Sequence, residues 1–315
     1  KAARDAHLQA MERVAPATAL FNLITANRLG QADLPLSVDE ETVLEAARRA
    51  NVDAHAADLH TLHFPVAFPE VFLRARPGFD CLLGNPPWEE ATVEELGFWA
   101  IRFPGLKSMT QAEQKKALPR LRRERPDLIT EYESAAKEAE QTRLLLTRGP
   151  YPGMGTGDPD LYKAFAWRFW QTCRDSGAIG MVLPRSALSA KGSAPWRQEV
   201  LENGAFTDTT MVLNTGGWVF DDAEHRYTIG LLALRKGRSH AGEVALRGPF
   251  SNLVRFQNGI KLPPARFPVQ EFLSWSDAAS FPLLPSADAV GVFQKLRAHP
   301  RLDADHGAWR ARPAT

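Results

Sequence analysis

Apolar positions recur at three- and four-residue steps through the first 50 residues: Leu8, Met11 and Val14, then Ala19, Leu20, Leu23 and Ile24. That is the spacing of a helix with one buried face. Ser37, with Glu40 three positions on, predicts the capped start of a second helix through Val43, Leu44 and Ala47. From His55 to Phe72 three histidines and two prolines break any long helical pattern. The period then changes. Phe79-Asp80-Cys81-Leu82-Leu83 is a short apolar run after Pro77-Gly78, as in a buried strand, and Cys81 within it reads as core. Residues 89–148 are mostly helical in pattern, and Pro150 to Gly157 is a Gly/Pro-rich loop.

Asp158-Pro159 predicts the cap and first turn of another helix, with Leu161, Phe165, Phe169 and Cys173 as its apolar stripe and Gly177 as its stop. Ala178–Leu183 follows as a strand ended by Pro184. Ser193 predicts a cap for a helix running to about Asn203, and Gly204 its stop. Phe206–Leu213 and Tyr227–Arg235 read as strands with no long helix between them, which predicts an antiparallel pair. Strands alternating with helices point to an open α/β sheet covered by helices. From Gly237 the pattern weakens, with one further helix at Ala287–Ala298. Three segments are therefore expected: 1–63, a helical lead-in; 64–240, the α/β part; and 241–315, a connector and the start of a second domain.

Composition narrows the classes. Of 315 residues, 44% are hydrophobic and 24% charged, enough for a core and too apolar for wholesale disorder. Lys and Arg total 38 against 37 Asp and Glu, so a uniformly basic nucleic-acid binder is excluded and any such surface must be local. Two cysteines, Cys81 and Cys173, cannot staple a secreted scaffold, and a reducing cytoplasm is the expected setting. No apolar run approaches the roughly 20 residues of a membrane helix, and no signal-peptide core opens the chain, so no membrane partner is expected. The chain starts at Lys1 and its last stretch, Trp309 to Thr315, stops in mid-pattern; a fragment of a longer protein is expected. His55, His60 and His63 lack zinc spacing with cysteine, and no metal site is expected. There is no Walker-type glycine loop and no Gly-x-Ser-x-Gly elbow.

Chemistry concentrates in Gly84-Asn85-Pro86-Pro87-Trp88, at the carboxyl end of a candidate strand. In open α/β sheets ligands sit outside those strand ends. Two successive prolines stiffen the turn, force Asn85 into extended geometry and remove two backbone donors. What points outward is a set of acceptors, the Asn85 side-chain oxygen and backbone carbonyls, beside one large flat ring. Such a cluster can accept hydrogen bonds from an exocyclic amino group and stack on the ring bearing it.

Asn-Pro-Pro-aromatic after a Phe-Asp-x-x-Leu-Gly strand resembles motif IV of the amino-group DNA methyltransferases. These use S-adenosylmethionine and methylate N6 of adenine, some relatives N4 of cytosine. The order downstream is similar too. Gly157 to Phe165 resembles motif V, Gly177 to Pro184 the next strand, and Trp218-Val219-Phe220 with His225-Arg226-Tyr227 motif VIII. The likeness covers residues 64–236. The lead-in Phe64 to Phe72 is similar to the large methylases of fused restriction–modification and phage-defence systems.

The resemblance implies a partial Rossmann-like S-adenosylmethionine-dependent sheet with helical insertions. Asn85 and the Pro86 carbonyl would hold the target amino group, Pro87 would stiffen the turn, and Trp88 would stack on a flipped base. Phe220 would pack that base from another side, and Phe165 would border the cofactor's adenine ring. The partner implied is double-stranded DNA, with a nuclease or defence-system protein associated, and 241–315 would be a connector and the start of a target-recognition region. The family's glycine-rich motif I is not visible in residues 1–84, nor is its acidic ribose ligand. In γ-type order that half lies upstream, and half of the cofactor pocket is expected to lie there. Blander readings stand beside these: Phe165 as a core residue of its helix stripe, Phe220 as a buried strand end, and the basic run Lys115–Arg125 as a solvated helix face rather than a phosphate contact. Competing functions are amino-methylation of RNA or of protein glutamine, and a catalytically silent DNA-binding subunit.

Overall fold

The computed structural model describes residues 2–53, 56, 59–221, 223–238, 242–275, 278–284 and 287–300. His55 and the stretch from Trp309, used in the sequence reading, lie outside them, as do the side chains of Leu8 and Met11. The chain divides into two compact units, each discontinuous in sequence: Lys1–Pro77 with Glu89–Ala164, and Gly78–Trp88 with Phe165–Thr315. These lines differ from the three consecutive segments of the sequence reading, because the strand before Asn85 pairs with residues nearly a hundred positions later.

The first unit is helical. α1 (Ala2–Arg28) and α2 (Glu40–Arg49) pack through Ala19, Leu23, Ala26, Val43, Ala47 and Val52, all buried. The cap of α2 is Asp39, not Ser37: its carboxylate accepts from the Thr42 N–H at 2.9 Å, and the Ser37 hydroxyl donates to that carboxylate at 2.6 Å. The Ser37 hydroxyl, then the Thr42 amide, hold the Asp39 carboxyl down at about 2. Single turns at Phe64–Ala67 and Pro69–Phe72 replace a long helix where the prolines predicted none. α3 (Glu95–Arg102), α4 (Gln111–Glu124) and α5 (Pro126–Arg148) enclose Phe98, Trp99, Leu106, Ala117, Leu121 and Leu128. α4 opens with a reciprocal capping box between Thr110 and Glu113.

Three arginines of the basic run are engaged within the chain: Arg120 with Glu124, Arg122 with Glu95 and Arg125 with Asp127. Such exposed pairs contribute little stability, but they favour the solvated-face reading for these arginines.

α6 (Leu161–Thr172) starts two residues later than the Asp-Pro signal predicts. Asp160 forms a β-bridge with Glu90, and its carboxylate meets the buried Lys163 ammonium at 2.9 Å, which holds this stretch extended. Cys173 is correspondingly not the last residue of the helix stripe but the first of β2 (Cys173–Pro184). It is buried, and that burial pushes its thiol up to about 11. Gly177 lies within β2 rather than at a helix stop; a Cβ there would come within 2.5 Å of Cys173 Sγ.

The second unit is built on one six-stranded sheet in the order β1-β2-β4-β3-β5-β6. β1 is Phe79–Gly84, β3 Gly204–Leu213, β4 Thr228–Lys236, β5 Glu243–Phe250 and β6 Ala265–Pro268. β1 and β2 run parallel with Gly84 opposite Met181. β3 and β4 are antiparallel, as the absence of a helix between them predicts, and β4 inserts antiparallel beside β2. β5 runs parallel to β3, and β6 antiparallel to β5. This mixed α/β architecture is compatible with the expected Rossmann-like methyltransferase sheet.

Alternation explains the core. Ile179, Met181 and Leu183 of β2 are buried at successive odd positions, and Val200 and Leu201 of α7 (Ala194–Asn203) are fully covered. Ser193 precedes α7 as predicted, though its side chain makes no cap bond. The ring series Trp196–Phe206–Phe281–Phe272, with centroids 4.6–5.8 Å apart, joins α7 and β3 to α9 (Val269–Ser274), which follows the short α8 (Leu253–Gly259). α10 (Ala287–Arg297) matches the last predicted helix.

One expectation fails at β1. Cys81 is exposed, not core, and Leu83 is 85% exposed. β1 is the outermost strand of the sheet, so apolar residues that would be covered in a central strand face open space.

Candidate functional site

The register brings several strand ends to one edge of the sheet: Gly84 lies opposite Met181, Pro184 opposite Ile229, Leu213 opposite Thr228, and Val212 opposite Phe250. The segment after β1, the end of β2 and the β3–β4 connection therefore share the carboxyl edge, where α/β sheets hold ligands.

Asn85-Pro86-Pro87-Trp88 leaves β1 at this edge. Gly84 is required by close approach, since a Cβ there would lie 2.9 Å from the Phe169 ring of α6. Pro86 is buried, while Asn85 and Pro87 are exposed and Trp88 is half-buried. Among the described residues, neither the Asn85 side chain nor the Pro86 carbonyl has a hydrogen-bond partner within the protein. The Asn85 side chain is exposed to solvent, while Pro86, whose carbonyl makes no bond within the protein, is buried.

Trp88 is fixed differently. Its indole N–H donates to the Val182 carbonyl of β2 at 3.4 Å, and its ring meets Phe220 edge-on at 6.1 Å and Tyr227 edge-on at 6.3 Å between centroids. The three rings form an aromatic mouth next to the Asn85 turn. Edge-to-face packing of this kind contributes about 0.5–1.5 kcal/mol per pair.

Phe220 is carried by the β3–β4 connection. Gly216 and Gly217 there adopt φ of 70° and 74°, the left-handed region that favours glycine. Asn214, fully buried, lies at the root of this loop and hydrogen-bonds along it. The Arg226 guanidinium beside Glu224, at 3.1 Å, holds that carboxyl below the usual range at the loop's exposed tip.

Phe165, the expected cofactor neighbour, is 39% exposed near the start of α6. It stands one helical turn before Phe169, the ring that covers Gly84, and so on the same helix face. That exposed ring fits the edge of an adenine. The glycine-rich turn that would complete such a pocket does not occur before β1, which is the first strand among the described residues. The residues present thus fit one side of a cofactor site.

The sequence reading missed Tyr227 and Asn214 as site residues. Tyr227 reads as the first residue of a strand, but it lies just before β4 with its ring on Trp88. Its signal was an aromatic directly at a strand boundary of the carboxyl edge. Asn214, one residue past a strand and two before a Gly-Gly pair, carries the signature of a turn-organising amide.

No protein-family profile and no curated protein matches the chain. Among solved structures it is similar to a chain described as the modification subunit of a type I restriction enzyme from Vibrio vulnificus YJ016. That match has 13% identity, 64% of this chain, 36% of that chain and a TM-score of 0.35. A chain from a type I restriction–modification assembly matches at 13% identity over 70% of this chain and 43% of that one, with a TM-score of 0.37. DrdV in complex with DNA matches at 15% identity over 82% of this chain and 19% of that one, with a TM-score of 0.28. The chain thus spans 36% and 43% of the first two. The first two are described as parts of type I restriction or restriction–modification systems and the third as a complex with DNA, but at such TM-scores the likeness carries no argument about the chemistry here.

Proposed function

We propose that this chain is the catalytic half of an S-adenosylmethionine-dependent DNA methyltransferase that modifies N6 of an adenine flipped out of the duplex, within a restriction–modification or phage-defence system. The observation that carries the reading is the pair of unpartnered acceptors, Asn85 Oδ1 and the Pro86 carbonyl, held by two prolines at a strand's carboxyl end beside the Trp88–Phe220–Tyr227 mouth. Residues 64–240 carry the catalysis in this proposal. From 241 the chain adds β5 and β6 to the same sheet before a target-recognition region begins.

The two acceptors face the two N–H bonds of an exocyclic amine. Accepting from both turns the nitrogen lone pair out of conjugation with the base ring and fixes its direction. Trp88, its N–H committed to Val182, offers a ring face for stacking, and Phe220 and Tyr227 restrict the base from the side. S-adenosylmethionine, when bound, would supply an electrophilic methyl group and leave as S-adenosylhomocysteine with the S–C electron pair on sulfur, and Phe165 would lie beside its adenine. The Asn85 and Pro86 oxygens then hold a nitrogen whose acidity has risen, and the excess N6 proton leaves to water. Orientation accounts for most of the acceleration; no strong general base is required.

The test is transfer of labelled methyl from S-adenosylmethionine by the full-length protein, offered unmodified duplex DNA, RNA and protein in parallel. Label recovered as N6-methyladenine in DNA supports the proposal. Label in RNA or in protein glutamine moves the reaction to those substrates. Intact DNA binding with no cofactor binding favours a silent subunit.

A further inference from the structure

We infer that Asn214 is the positioning residue of the aromatic mouth: it holds Phe220 against Trp88, and through Phe220 it sets how the target base is engaged. The second half of this statement rests on the methyltransferase reading; the first does not.

The argument is geometric. Asn214 is 0% exposed, so its side-chain bonds are made away from bulk water. Its Oδ1 accepts from the Val219 N–H at 3.1 Å and from the Phe220 N–H at 3.0 Å. Its Nδ2 donates to the Phe220 carbonyl at 2.8 Å and to the Ala223 carbonyl at 3.3 Å. Phe220 is therefore gripped at both ends of its own backbone by one side chain. The Asn214 main chain ties down the rest of the loop: its N–H donates to the Tyr227 carbonyl, and its carbonyl accepts from the Gly217 N–H, both at 2.9 Å. Two of the three rings in the mouth thus hang from one residue, while the third, Trp88, is anchored separately on β2.

Only a primary amide of this length offers an acceptor and a donor at once from that point. A methyl group offers neither. A carboxylate keeps the acceptor but turns a negative charge on the Phe220 and Ala223 carbonyls; protonated, it recovers one donor.

The experiment places 4-fluorophenylalanine at Phe220 or, as a control, at the buried Phe206, and records fluorine NMR of the full-length protein. Wild type should give one sharp line at each position. Asn214→Ala should broaden or split the line at 220 and leave that at 206 in place. Asn214→Asp, which keeps the acceptor and loses the donor, should do the same at pH 8. A line at 220 indifferent to Asn214→Ala overturns the hold on Phe220. A line at 206 that collapses with it reduces Asn214 to a general stabiliser and also overturns the inference. In the full-length protein, Asn214→Ala should reduce the fluorescence response of 2-aminopurine at the target at least fivefold. An unchanged response overturns the role in engagement. A wild type giving no response at all, with the fluorine lines as expected, overturns that role together with the methyltransferase reading and supports the hold on Phe220.

Discussion

Replacing Trp88 separates its two jobs. Trp88→Ala removes the stacking face, the bond from the indole N–H to Val182 and both edge-on contacts, with Phe220 at 6.1 Å and Tyr227 at 6.3 Å. Stacking of one base on an aromatic ring is worth about 1–3 kcal/mol. At about 1.4 kcal/mol per tenfold, engagement of an extruded base should fall roughly 5- to 150-fold. Loss of the two ring contacts would loosen the mouth further, by about 0.5–1.5 kcal/mol each. Trp88→Phe keeps a face and drops only the 3.4 Å bond, a long one, so its loss should stay within about tenfold. The assay is stopped-flow fluorescence with 2-aminopurine at the mapped target adenine, which reads unstacking directly, alongside anisotropy for overall DNA affinity. The reasoning predicts Ala far below Phe in the 2-aminopurine response, with both close to wild type in anisotropy. Equal responses from all three proteins would refute it.

Three further outcomes follow from the geometry. Arg197 is fully buried, and its guanidinium donates to the carbonyls of Ala187, Ala190, Ala278 and Ala279; Arg197→Met should lower stability by about 3–5 kcal/mol in urea unfolding, because carbonyls lose a charged donor inside the core, and a loss under 1 kcal/mol would contradict this. A Cβ on Gly204 would lie 2.3 Å from the Arg235 carbonyl of the neighbouring strand, so Gly204→Ala should cost about 1–3 kcal/mol with no change in the φ requirement; an unaltered unfolding midpoint would show that β3 and β4 separate freely. Asp39, held at about 2 by Ser37 and Thr42, should titrate there by NMR and move towards the ordinary 3.8 in Ser37→Ala. Since its folded value is depressed, its contribution to stability is complete above 3.8 and is lost as pH falls through about 2.

The parts of the fold that were legible share a cause: each was written in local chemistry. Phe79–Leu83 followed by a rigid turn, the β3–β4 pair without an intervening helix, and the broken 55–72 stretch all follow from period, proline and glycine. The misses came from long-range partners. Asp158-Pro159 carries a helix-start signal, yet Glu90 and Lys163 hold Asp160 extended and delay α6 to Leu161. Cys81 reads as core, but whether an apolar residue is covered depends on β1's place at the sheet edge, which its own sequence does not encode. β6, Ala265–Pro268, was invisible because four residues are too few for a period, and β5, Glu243–Phe250, because Gly248-Pro249 inside it carries a breaker signal. At the site, the Asn85 turn was readable from its own residues. The meeting of Trp88, Phe220 and Tyr227 was not readable from local pattern, because it depends on β4 lying next to β2.

The most direct test of the account compares wild-type and Asn85→Ala full-length protein in methyl transfer and DNA binding side by side. Asn85 is exposed and unpartnered among the described residues, so its loss should leave the fold and DNA affinity within about threefold. Removing one preorganised polar group at a reacting centre typically costs about 10²–10³ in rate, and transfer to N6 of adenine should fall by that much or more. Transfer that survives Asn85→Ala at the wild-type rate would contradict the assignment of this turn as the place where the amine is held.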